Sequence, residues 1–165
     1  MAEKDTVFKG KIKQSGIFNF KEFYSYLYDY LNEDGYDVSE KSYSEQISGD
    51  SKKIEIKWEA SRSVSDYFKF QIKIDWLITG MKEVDVEKEG KKTKMNSGSV
   101  ELKFSGVMIK DYESRWENKP IYKFLRGVYD RYIIKSRIDE YEIKLFGEVN
   151  NIIKTCKSFL SIEGK

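Results

Sequence analysis

The chain predicts an α+β fold: an antiparallel β-meander covered on one face by an N-terminal helix and a long, bent C-terminal helix. Three observations lead there. From residue 36 onward the apolar period changes to two, most cleanly over 53–60 and 67–79, the period of a half-buried strand. Over residues 20–31, and again over 120–160, they recur at spacings of three and four, the period of a helix. The strands alternate apolar with charged residues rather than running apolar throughout, which argues for an antiparallel sheet wet on one face.

The elements follow in order. Residues 7–13 alternate strictly, with Phe8, Gly10 and Ile12 on one side and Lys9, Lys11 and Lys13 on the other, so they read as a strand with a solvated lysine face. Gln14, Ser15 and Gly16 read as a turn. Asn19 then suits an N-cap, and Phe20, Phe23, Tyr24, Leu27 and Leu31 give a helix ending near Asn32, with Gly35 just beyond it. Tyr26, Tyr28 and Tyr30 spread round its flanks. Residues 36–47 form a ragged strand. Residues 53–60 alternate cleanly, Ile54, Ile56, Trp58 and Ala60 against Lys53, Glu55, Lys57 and Glu59. The longest strand is 67–79, ended by Gly80. Val84 and Val86 begin a short strand that returns through a two-residue hairpin at Glu89 and Gly90 to residues 91–95. Asn96, Ser97 and Gly98 read as another turn, leading into Val100, Leu102, Phe104, Gly106 and Met108. The expectation is one strand, one helix, five or six meander strands and a final helix, in a single domain spanning 1–165.

The final helix starts at Asn118 and Pro120, a favourable opening for a first turn. Its apolar residues fall in two stripes. Ile121, Phe124, Leu125, Val128 and Tyr132 form the first; Ile138, Tyr141, Leu145, Val149, Ile152, Ile153, Cys156, Phe159 and Leu160 form the second, rotated from it. A straight helix of about 40 residues would reach about 60 Å, too long for a chain of this size. A bend is therefore expected near residues 133–137, with Gly147 as the alternative.

Composition narrows the chemistry. The chain has 165 residues, 39% of them hydrophobic and 15% aromatic, enough to bury a sizeable core. With 30 basic and 28 acidic residues the formal net charge is +2, so any case for an anionic partner rests on local clustering. There is no histidine, which removes His-based nucleophilic sites and His zinc sites, and the one cysteine, Cys156, removes intramolecular disulfides. Cys156 falls on the apolar side of its helix and reads as a core residue. No catalytic loop or motif of usable spacing appears, so the sequence picks out no catalytic residue, metal or cofactor, and an enzyme using carboxylates or lysine stays open as a third reading. No signal-like or membrane-length apolar run appears either, which predicts a soluble cytoplasmic protein.

Two groups of residues are candidate sites. Arg115, Lys119, Lys123, Arg126, Arg131, Lys135 and Arg137 stand in one window against only Glu117 and Asp130. Arginine in that density suits phosphate or carboxylate recognition, because its planar fork binds two oxygens at once. RNA or an acidic protein is the expected partner. The second group is the apolar face of Trp58, Phe70, Ile72, Trp76 and Phe104, which could line a cavity for an apolar small molecule or lipid. The lysines of the opposite face, at 9, 11, 13, 53, 57, 69 and 73, are interleaved with Glu55, Glu59, Asp75 and Glu101 and read as an ordinary mixed surface.

The order strand, helix, meander, long helix is similar to that of the helix-grip domains of the START and Bet v 1 type, with one helix fewer after the first strand. That likeness implies a sheet and helix enclosing an apolar ligand. Residues 110–120, KDYESRWENKP, together with FLRGVYDRYIIKSRI over 124–138, resemble a family of small archaeal proteins. This second resemblance implies no activity. The expected function is a non-catalytic binding module that contacts an anionic macromolecule through its basic C-terminal helix; the alternative is an apolar-ligand carrier.

Overall fold

A computed structural model of the chain describes residues 3–65, 67–110, 124, 128 and 135–163. The elements are β1 (Glu3–Phe18), α1 (Phe20–Glu33), β2 (Asp37–Ser48), β3 (Ser51–Ser63), β4 (Phe68–Lys88), β5 (Lys91–Lys110) and α2 (Lys135–Glu163). The five strands make one antiparallel sheet in the order β1-β5-β4-β3-β2. Strands β2 to β5 are a meander, and β1 returns to pair with β5. Both helices pack on the same apolar face, the α+β arrangement that the alternating pattern predicts.

The strands are fewer and longer than the turn residues suggest. Gln14, Ser15 and Gly16 do not turn the chain; they stay in the ladder opposite Val100, Ser99 and Gly98. Gly80 does not end β4. It takes φ +60°, the ladder shifts register between Thr79 and Lys82, and pairing resumes to Lys88. Gly98 makes the matching accommodation on β5, since a Cβ there would lie 2.9 Å from the Thr79 carbonyl oxygen and 3.1 Å from Met81 Cα. Paired glycines here absorb a bulge within a continuous hairpin instead of punctuating it. The hairpin tip at Glu89 and Gly90 is as expected, with φ of 52° and 79°.

Helix α1 is capped as its sequence indicates. The Glu22 N–H donates to Asn19 Oδ1 at 3.1 Å, and at the other end the Tyr36 N–H reaches the Leu31 carbonyl past Gly35 at φ +89°. Helix α2 runs unbroken through Gly147, so the chain does not break there. The other expected bend, near 133–137, falls mostly outside the described residues.

The apolar face is built by register. Trp58 pairs with Ile74, Ile56 with Trp76, Ala60 with Ile72, and Ile74 in turn with Phe104. Phe20, Phe23 and Tyr24 of α1 pack on Trp76, and Tyr24 meets Trp58 edge to face at 4.9 Å. Helix α2 lies across β1 and β5 with Leu145, Val149, Ile152, Cys156 and Leu160 buried, the residues of its second stripe. It comes close because glycines leave room. A Cβ on Gly106 would meet Val149 Cγ2 at 3.1 Å, and one on Gly10 would meet Ile153 Cδ1 at 2.8 Å. Phe159 stacks on Phe23 at 5.3 Å and joins the two helices.

One polar cluster ties α2 to the far end of the sheet. Glu148 of α2 accepts a hydrogen bond from the Tyr36 hydroxyl at 2.5 Å and pairs with the Arg62 guanidinium. That guanidinium also lies over the rings of Tyr36 and Phe70, at 5.1 and 5.8 Å. Burial first, and then the Glu148 contact, drives the Tyr36 hydroxyl far above the ordinary tyrosine range.

Candidate functional site

The two expected groups are placed very differently. Arg115, Lys119, Lys123, Arg126 and Arg131 lie outside the described residues, as does the side chain of Lys135, the first residue of α2. Arg137 is on α2 and exposed. The apolar group is brought together by β3, β4 and β5: Trp58, Phe70, Ile72, Trp76 and Phe104 are each at most 2% exposed. Trp58 and Trp76 pack on each other and on the aromatic side chains of α1, so a ligand beneath the helices would have to displace packed rings. The Trp58 and Trp76 rings meet at 5.0 Å, and among the described residues neither indole N–H has an acceptor. Beside Trp58, burial and then the hydrogen bond to Glu40 push the Tyr24 hydroxyl up to about 12.

The outer face of the sheet offers more to a partner. Strand alternation puts Lys9, Lys11 and Lys13 of β1 outward, and pairing sets Lys11 opposite Lys103 of β5. Asp75 of β4 stands between Lys103 and Lys57 of β3. Lys9 and Lys73 both lie opposite Ser105, one from each side. Lys9, Lys11, Lys73 and Lys103 thus rim a shallow depression of about 620 Å³, floored by Gly10 and Ser105. Two carboxylates answer these four lysines. Asp75 is in the depression, and Glu101 lies 3.3 Å from Lys11 and 3.9 Å from Lys103. Both lysines remain more than half exposed. Among the described residues Lys9 and Lys73 have no carboxylate partner.

The geometry of such a lattice is regular. Neighbouring strands are about 4.8 Å apart and alternate residues on one strand about 6.7 Å. Ammonium groups on flexible stems at that spacing can meet successive anionic groups of a chain, each as a point charge. Phe104, the aromatic residue of its lining, is buried, so among the described residues the depression presents charge without an exposed ring for base stacking.

Sequence reading placed Lys9, Lys11 and Lys73 on this face but did not gather them, and it passed over Lys103. The missing information was the pairing of β1 with β5, which sets Lys11 beside Lys103 although 92 positions separate them along the chain. The period-two lysines of β1 were the available signal.

Among the described residues no group of acidic, cysteine or histidine side chains could hold a metal ion, and no helix is long and apolar enough to cross a membrane. Cys156 is buried, and burial pushes its thiol up to about 12, well away from the range of a reactive thiolate. No family model, curated protein or solved structure matches the chain.

Proposed function

We propose that this protein is a cytoplasmic, non-catalytic binding module that holds a polyanion, RNA in the first instance, by its backbone. The observation that carries the proposal is the convergence of Lys9, Lys11, Lys73 and Lys103 on one depression of the outer sheet face. In a chain of nearly balanced charge that is a local excess, and local excess is what recruits a polyanion. The burial of Phe104, the aromatic residue of that lining, favours contact with phosphates over contact with bases, hence little sequence preference. The arginine-rich window from 115 to 137 supplies a second set of anion contacts, with Lys123 and Arg126 at its centre.

The adjacency of β1 and β5, with a long helix across them, supports a likeness to helix-grip domains in architecture. The packed state of Trp58, Phe70, Ile72, Trp76 and Phe104 favours a binding function on the outside of the sheet rather than beneath α2.

The test is charge reversal. Lys11→Glu, Lys73→Glu and Lys103→Glu together should weaken binding to a labelled single-stranded RNA at least tenfold in fluorescence anisotropy, with the circular dichroism unchanged. Lys123→Glu with Arg126→Glu should weaken it as well. Equal binding by the wild type and both variants would remove the proposal, and retention of an acidic polypeptide in place of RNA would redirect it to a protein partner.

A further inference from the structure

The two edges of the sheet are guarded unequally. β1 carries Lys4, Lys9, Lys11 and Lys13, and α2 packs against it, so both charge and cover discourage another strand. β2 is the opposite edge. Its register slips between Glu40 and Ser42, and its single lysine, Lys41, sits in that bulge. From Ser42 to Ser48 it has no lysine, proline or glycine, and every residue is exposed. Tyr43 and Ile47 are 46% and 70% exposed, an apolar pair on an edge that no described strand pairs.

That segment is complementary to itself. Tyr43, Glu45 and Ile47 lie on one face, opposite Ile56, Ile54 and Lys52 of β3. Tyr43 and Ile47 are four apart with Glu45 between them. An antiparallel copy paired about Glu45 therefore sets each Tyr43 against the other copy's Ile47, a favourable aromatic and β-branched cross-strand pair, and does so twice. Ser42 then meets Ser48, and Ser44 meets Gln46. Glu45 meets its own equivalent on the axis, but each carboxylate arrives with Lys52 already 3.0 Å away. Shifting the register by one pair sets Tyr43 against Glu45 and leaves Ile47 unmatched. Helix α1 bonds to β2 before this segment, where Tyr24 donates to Glu40 at 2.8 Å, and Phe20 and Lys21 share a groove with Tyr43 and Glu45, all of which leaves the residues of 42–48 exposed.

We propose that two copies of this chain pair through their β2 edges over residues 42–48, joining two five-stranded sheets into one continuous sheet about a two-fold axis at Glu45. With the axis perpendicular to the sheet, the outer faces of both copies point the same way. The occupant is a second copy because the edge matches itself in apolar and hydroxyl contact, with each axial Glu45 carboxylate offset by its own Lys52.

Sedimentation velocity over a concentration series, with wild type and the Tyr43→Lys, Ile47→Lys double variant, tests this. Both residues are exposed, so the variant keeps its fold by circular dichroism. Glu45→Cys provides an independent readout. Opposed Cβ atoms on paired strands lie about 5 Å apart, near enough for a symmetric disulfide under mild oxidation. Buried Cys156 does not compete. The expected result is a dimer that grows with wild-type concentration, a monomeric double variant, a disulfide dimer from Glu45→Cys, and none from a Lys13→Cys control on β1. A wild type that stays monomeric throughout, or a double variant that dimerises like wild type, overturns the proposal. So does a monomer whose β2 edge takes up an added extended peptide instead.

Discussion

Replacing Gly106 with valine measures how closely α2 is seated on β5. A Cβ at that position would lie 3.1 Å from Val149 Cγ2, 3.4 Å from Leu145 Cγ and 3.6 Å from Leu145 Cδ2. The first of these is already tighter than ordinary van der Waals contact, and two further methyl groups have no unfilled space to enter. Overpacking of this kind costs about 1–3 kcal/mol. A β-branched residue in place of glycine in a strand returns up to about 1 kcal/mol of backbone propensity. The net expectation is a loss of about 1–2 kcal/mol, read by urea unfolding followed through the fluorescence of buried Trp58 and Trp76. Val149→Ala removes the methyl groups in the way. Its own loss and that of Gly106→Val should combine to less than their sum, by at least about 0.5 kcal/mol, because the two side chains share one space. A Gly106→Val protein as stable as wild type, or losses that simply add, would refute the close seating of α2.

Three further outcomes follow from the same contacts. Gly147 sits inside α2, where an added Cβ meets nothing within 4 Å, so Gly147→Ala should raise stability by about 0.5–1 kcal/mol in the same urea assay. Tyr36→Phe removes a donor to the Glu148 carboxylate and should cost about 1–3 kcal/mol, with Glu148→Ala costing more because it leaves the Arg62 guanidinium without its carboxylate. The Tyr24 hydroxyl is raised to about 12 in the folded chain by burial and then by Glu40, against about 10 when unfolded. A folded pKa above the unfolded one gives stabilisation that is complete below about pH 10 and lost as pH rises toward about 12. Midpoints of thermal unfolding across that window should fall, and Tyr24→Phe should flatten the fall.

The architecture was largely legible because its signals are local and redundant. Period-two alternation in β3 and β4, period 3.6 in α1, the Asn19 cap and the apolar stripe from Ile138 to Leu160 all describe residues in the places where they are buried or capped. The turns were less legible. Gly16, Gly80 and Gly98 look alike in sequence to Gly35 and Gly90, yet the first three serve inside ladders and the last two end elements. What separates them is the partner strand: Gly98 is required by the Thr79 and Met81 backbone across the ladder, a contact that no window of sequence contains. Strand pairing likewise decides the candidate site. Lys11 and Lys103 are unremarkable singly and become a patch only when β1 closes against β5.

The salt dependence of RNA binding tests the central proposal most directly. Four lysines neutralising four phosphates on a single strand give a slope of about −3 in a plot of log affinity against log salt concentration. Wild type should show that slope or a steeper one, and the Lys11→Glu, Lys73→Glu, Lys103→Glu protein a slope shallower by about 2, the share of three lysines. A wild type with no salt-dependent affinity, or a variant with the same slope, would contradict a polyanion-binding role for the lysine face.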